Sequence, residues 1–168
     1  MKTITTIVLT ALLAVSSPAQ AITPDKPAAE VKTGLTLFLD QARQASVKAN
    51  IHQLQRHIGR TWYVFSGATP TGWDCSGLTM WFYAQLGQDI PHSANKQAQL
   101  HGWTNKPVLG DLVLFGYPGT NSFFHAAIYY GNNRVIHAGF HKGTRTEVLS
   151  LTSPAVKNLK IRFIHLAN

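Results

Sequence analysis

The sequence predicts an α+β domain in which N-terminal helices pack on an antiparallel sheet of about five strands. Three observations predict it. From Thr33 to Gly59 the apolar residues recur with the 3.6-residue period of a helix. Beyond Gly110 they fall instead into short segments rich in Val, Ile, Phe and Tyr, separated by Gly, Asn and Pro. Helices followed by a run of strands indicate a sheet with helices on one face, not alternating βα units. The third observation is size: 168 residues, 45% hydrophobic and 13% charged, describe one globular domain with a sizeable core.

Taken in order, the chain opens with the marks of a secretory signal peptide over residues 1–21. Lys2 supplies a positive start, Ile4 to Val15 an apolar stretch, and Pro18-Ala19-Gln20-Ala21 a small-x-small site, so cleavage is expected after Ala21. The apolar run is short for a membrane span of roughly 20 residues, and no cysteine closely follows it to accept a lipid. Residues 22–32, with Pro24 and Pro27, read as a leader, and 33–168 as the folded domain. Leu35, Leu39, Ala42, Ala45, Ala49, Ile51, Leu54 and Ile58 mark one helical face ending at Gly59, with a break near Asn50 that would divide it into two helices.

Thr61 to Gly72 is a loop punctuated by Gly67, Pro70 and Gly72. A second helix begins at Cys75, capped by Asp74, with Leu78, Trp81, Phe82 and Leu86 on its apolar face. Strands are expected at 111–115, 124–130, 134–138, 145–151 and 160–166. Gly131-Asn132-Asn133 is a hairpin turn between the second and third of these.

The chain carries a formal charge of +8, which becomes +7 when the signal leaves with Lys2 and no acid. A basic exported protein is drawn to polyanions, chiefly wall polymers and membrane surfaces. The basic residues are scattered from Lys26 to Arg162 without a run or recognition motif, so nucleic acid is not the expected partner. No later stretch is long and apolar enough to span a membrane, so no stable membrane insertion is expected after signal cleavage.

The chain has one cysteine, Cys75, which can form no internal disulfide. At a helix start, unpaired backbone N–H groups and the helix dipole favour its thiolate. A thiolate nucleophile needs a base, and that base needs orienting. Eight histidines compete. His52 and His57 read as surface residues of the first helical segment, and His101, His141 and His165 sit in less structured or terminal contexts. His125 and His137 each lie inside an apolar strand beside a small Ala, and a short hairpin brings the two strands together. The same three residues also compose a zinc ligand set, although close-spaced ligand pairs are missing.

Tyr63-x-x-x-Gly67-x-x-Pro70-x-Gly72-x-Asp74-Cys75-Ser76-Gly77-Leu78 resembles the nucleophile region of the NlpC/P60 cysteine peptidases. The later motifs follow in that family's order: Pro91-His92-Ser93 with Gln97, Leu109 to Val113, His125 to Tyr129, and Val135 to Ala138. The resemblance covers roughly residues 50–166. It implies a papain-like fold with Cys75 as nucleophile at a helix N-terminus, His125 as base and His137 as the residue orienting it. It implies an oxyanion or substrate role for Tyr63, and a place in the cleft lining for Ser93.

Asp74 and Ser76 would bind a substrate ammonium, or Asp74 is the helix cap alone. The implied substrate is the stem peptide of bacterial peptidoglycan, often cut between γ-D-glutamyl and diaminopimelate or lysine, with no cofactor and no metal. The implied place is outside the cytoplasm, periplasmic or secreted, and any inhibitor or targeting protein is unknown. Phe65, Ser66 and His92 depart from the family's common residues, which bears on subsite preference. The alternatives are an amidase or acyltransferase of the same fold acting on a non-wall substrate, and a catalytically silent wall-binding module.

Overall fold

The computed structural model describes residues 28–166. The expected signal peptide and most of the leader lie outside the described residues. Helix α1 runs from Ala28 to Gln55, so the leader's last residues, 28–32, belong to the helix. It is one helix: the expected break at Asn50 is absent, because Asn50 is itself buried on the side that meets the body. The contact is confined to the C-terminal half. Ile51 and Leu54 enter the core with Val47 packed against it, whereas Leu35 and Leu39 of the expected apolar face are exposed. Residues 33–42 are exposed throughout.

A short ribbon of β1 (Ala68–Thr69) and β2 (Gly72–Trp73) leads into α2 (Cys75–Ala84), followed by the single turn α3 (Ala94–Gln97). The rest is one antiparallel sheet of β3 (Trp103–Thr104), β4 (Leu112–Gly116), β5 (Phe123–Gly131), β6 (Arg134–His137), β7 (Glu147–Ser150) and β8 (Lys160–Ile164). Its spatial order is β3-β8-β4-β5-β6-β7. The sequence reading expected about five strands. The sixth, β3, is too short for a periodicity signal and pairs only through Trp103 and Thr104 with β8. Asn132 and Asn133 both have positive φ, 51° and 54°, and close the β5–β6 hairpin as a two-residue turn.

Both sheet faces are covered. Leu112, Leu114, Ala126, Ile128, Ile136 and Ile164 face the helices and pack with Leu54, Leu78, Phe82 and Tyr83. Val113, Phe115, Ala127, Tyr129 and Val135 line the other face, with Val156 from the β7–β8 connection in the same cluster. Sequence reading had assigned a cover to one face. β4 is buried at all five positions, which explains why it lacks the alternation of a half-solvated strand.

The site is positioned by the approach of α2 to the loop before it. A Cβ on Gly77 would overlap the Gly67 carbonyl, and one on Gly67 would overlap the Gly72 carbonyl. The loop is also sewn to the chain ahead of β7: Tyr63 N–H donates to the Thr144 carbonyl at 2.9 Å, and Trp73 Nε1–H donates to Thr146 Oγ1 at 2.8 Å. Alanine at 77 gains about 1 kcal/mol of helix propensity over glycine. Overpacking against rigid backbone costs about 3 kcal/mol, so the clash wins. Gly77→Ala therefore lowers stability by roughly 2 kcal/mol net in urea denaturation, against the direction of helix propensity.

Candidate active site

The first turn of α2 is organised by one carboxylate. Asp74 is the N-cap, with extended backbone (φ −89°, ψ −176°). Its Oδ1 accepts from the Gly77 N–H at 2.7 Å and the Ser76 hydroxyl at 3.0 Å, and lies 3.0 Å from His92 Nε2. Its Oδ2 accepts the Ser66 N–H at 3.0 Å, from a residue held at positive φ. Asp74 is thus a cap, and Oδ2, with a single donor, is the oxygen left with capacity for a ligand.

Gln97, fully buried, clamps the same turn from the other side. Its Nε2 donates to the Ser76 carbonyl at 3.1 Å and the Pro91 carbonyl at 2.8 Å, and its Oε1 accepts from Thr79. Ser93 caps α3, its Oγ accepting the Lys96 N–H.

Cys75 is the first residue of α2 and is buried. Its sulfur lies against the backbone N–H groups of Ala126, Ser76 and Cys75 itself, the first of these belonging to the residue after His125. His125 on β5 and His137 on β6 meet at 3.0 Å, Nε2 to Nδ1, both buried. The register explains the meeting. Ile136 stands opposite Ile128, so His137 follows opposite Ala127 and lies diagonal to His125, within reach of two aromatic rings on one face. Phe140 stacks on His125 with centroids 4.5 Å apart, and Phe115 lies 5.7 Å away.

Burial dominates the electrostatics. The sequence reading expected the helix start to lower the thiol's pKa. The amides of Ala126, Ser76 and Cys75 do pull it down, but burial outweighs them, Asp74 adds repulsion, and the thiol is raised above its ordinary 9.0. Burial, and then the neighbouring His137, hold His125 well below 6.5. Burial lowers His137 to about 4 against the opposing pull of the Gly139 carbonyl. The resting pair is therefore neutral thiol and neutral imidazole. With Nε2 engaged by His137, Nδ1 is the His125 nitrogen left for proton transfer. Burial, Cys75 and Asp74 in turn raise the Tyr63 phenol, which places that ring beside the thiol.

An open cleft of about 320 Å³ has Tyr63, Asp74, Cys75, Ser76 and Ser93 in its lining. His125 and His137, both buried, do not line it. The cleft adds residues that sequence reasoning passed over or gave no site role: Phe65, Ser66, His92, Asn95 and Phe124. Phe65 is 83% exposed, and Phe124 stacks on Tyr117 with centroids 4.7 Å apart. A larger hollow of about 500 Å³ between α1 and the start of β4 holds the Asp111–His165 pair but no thiol, so the chemistry resides in the smaller one.

His57 is not a bare surface residue; it packs edge-on against Trp73 and Trp81. His137 Nε2 has no hydrogen-bond partner and lies 3.4 Å from Glu147 Oε1. Glu147 was illegible as a site residue because only the β6–β7 register brings it to His137, and Phe140 because only the path of the loop after β6 stacks it on His125. Among the described residues no three His, Cys, Asp or Glu side chains are grouped to hold a metal ion, and no helix is long and apolar enough to cross a membrane.

Comparison with known proteins places this geometry in context. A family model described as the NlpC/P60 family matches residues 59–163. The bifunctional muramidase/DL-endopeptidase CwlT of Bacillus subtilis is 40% identical over 84 residues, 45% of this chain and 24% of that protein. A probable endopeptidase of Corynebacterium glutamicum is 33% identical over 126 residues, 71% of this chain and 52% of that protein. The chain thus spans about a quarter to a half of these relatives. Among solved structures, the NlpC/p60 domain of the peptidoglycan hydrolase SagA superposes with a TM-score of 0.58 at 30% identity, covering 73% of this chain and 97% of that one.

Two outcomes follow from the buried neutral pair. Alkylation of Cys75 by iodoacetamide is slow at pH 7 and climbs through an apparent pKa above 9.0; a rate flat from pH 5 to 9 would reveal a preformed thiolate instead. The unfolded chain binds a proton on His137 near 6.5 and the folded one only near 4. Stability from this group is therefore complete above 6.5 and lost as pH falls towards about 4, by on the order of 3 kcal/mol. Thermal melting across that window reads the loss, and His137→Asn removes this share while leaving that of the buried His125.

Proposed function

This chain belongs to the NlpC/P60 family, and we propose that it is an exported cysteine endopeptidase that hydrolyses an amide bond in peptidoglycan stem peptides, between γ-D-glutamyl and diaminopimelate or a related bond. The observation that carries the reading is the Cys75 thiol against the Ala126 amide, one residue from an imidazole whose far nitrogen is held by His137. Relatives named as endopeptidases, and a peptidoglycan hydrolase domain of the same fold, support the substrate class. The charge of +7 expected once Lys2 leaves with the signal favours encounter with an anionic wall.

In this reading His125 Nδ1 takes the Cys75 proton as sulfur attacks the amide carbonyl carbon. With the thiol raised and the imidazole lowered, that transfer is uphill in the resting site, so thiolate forms together with attack. The Cys75 backbone N–H, at a helix start, stabilises the tetrahedral oxyanion, with Tyr63 in the lining of the same cleft. The C–N bond breaks, the imidazolium proton passes to the leaving amine, and an acyl-thioester remains. Water activated by His125 then hydrolyses it and restores the thiol. Asp74 Oδ2 and Ser76 offer oxygens to a substrate ammonium, and Ser93, His92 and Asn95 line the approach.

Digestion of defined peptidoglycan followed by mass analysis tests the proposal. Wild type releases fragments cut in the stem peptide. Cys75→Ala lowers the rate by at least about a thousandfold while keeping the fold, because the nucleophile is lost and not the cleft. Absence of stem-peptide cleavage by wild type, with turnover of a non-wall amide or ester, would assign the site to an amidase or acyltransferase.

A further inference from the structure

His137 has two ring nitrogens, and the site accounts for one. Nδ1 meets His125 Nε2, whereas Nε2 is buried without a hydrogen-bond partner. For His125 to act as a base at Nδ1, its proton must sit on Nε2 and be donated to His137. His137 must then accept at Nδ1 and carry its own proton on Nε2, the buried nitrogen without a partner. A polar hydrogen in that position needs an acceptor.

The β6–β7 ladder supplies one. His137 stands directly opposite Glu147, and Glu147 Oε1 lies 3.4 Å from His137 Nε2. The contact is slack at rest, as catalytic hydrogen bonds commonly are before charge develops.

We propose that Glu147 is a positioning residue that keeps the His137 proton on Nε2 and so presents His125 with a basic Nδ1. The proposal rests on the reading of His125 as the base. No proton leaves the chain of groups: when His125 becomes imidazolium, its Nε2–H bond to His137 and the His137 bond to Glu147 shorten, and the carboxylate stays ionised. Among the described residues the titratable groups facing His137 are His125 from β5 and Glu147 from β7, while the segment after β6 adds the Phe140 ring and the Gly139 carbonyl. The Gly139 carbonyl is the competing acceptor. Glu147 is half exposed on the edge strand β7, so its removal leaves the core untouched.

Glu147→Ala and Glu147→Gln separate the two acceptors. Glu147→Ala lowers kcat on a muropeptide substrate about tenfold with KM unchanged. It also moves the acid limb of kcat/KM to lower pH, because the lost carboxylate had favoured the imidazolium. Glu147→Gln keeps an acceptor oxygen and recovers part of kcat. Nitrogen-15 NMR of labelled histidine shows His137 protonated at Nε2 in wild type and in Glu147→Gln, and a mixture of tautomers in Glu147→Ala. An unchanged kcat, acid limb and tautomer in Glu147→Ala would overturn the proposal in favour of Gly139. If wild type cleaves no muropeptide, the proposed substrate fails, while the ring spectra still decide the role of Glu147.

Discussion

The site depends on the carboxylate of Asp74. Four donors from three places in the chain converge on it: the Gly77 amide and Ser76 hydroxyl of the same turn, the His92 ring and the Ser66 amide. Without that acceptor the first turn of α2 would lose its cap, and the loop before it would lose the contact that holds Ser66 at positive φ. The close approach of Gly77 to the Gly67 carbonyl is possible because Gly77 has no side chain, and Gln97 closes the same turn from the α3 side. One anion therefore fixes the direction in which Cys75 points. Its partners are spent on architecture first, and only Oδ2 retains capacity for a ligand.

That architecture carries an electrostatic consequence. A helix start by itself favours thiolate, but here it is roofed by the sheet, and desolvation of the sulfur outweighs its amides. The same burial, sealed by Phe140 and Phe115, keeps both imidazoles neutral. The protein thus holds an unionised nucleophile and base, and spends folding free energy at low pH to do so. The neutral pair also makes the orientation of each imidazole matter more, because which nitrogen carries the proton is decided by hydrogen bonds alone.

Much of this was legible in the chain. The period change near Gly110, the Asn-Asn turn and the Asp74 cap each follow from local chemistry, and each stands where local chemistry puts it. The reading faltered where packing decides. The apolar positions Leu35 and Leu39 look like core positions of a helix, yet α1 extends past the body and leaves them exposed. His57 has an ordinary surface-helix context and is instead half-buried, edge-on against two tryptophans. Glu147 reads as a polar residue at a strand start, and nothing in its neighbours points to His137 ten residues earlier.

The sequence by itself determined the α+β class, the helix start that carries Cys75, and the two strand histidines, because caps, turns and periodicity are properties of neighbouring residues. Only the tertiary structure decided the protonation state of the site and the company its histidines keep. Desolvation depends on what covers a group, and the diagonal meeting of His125 with His137, or the opposition of His137 and Glu147, depends on strand register. Both are set by contacts between segments far apart in the chain, which no local pattern records.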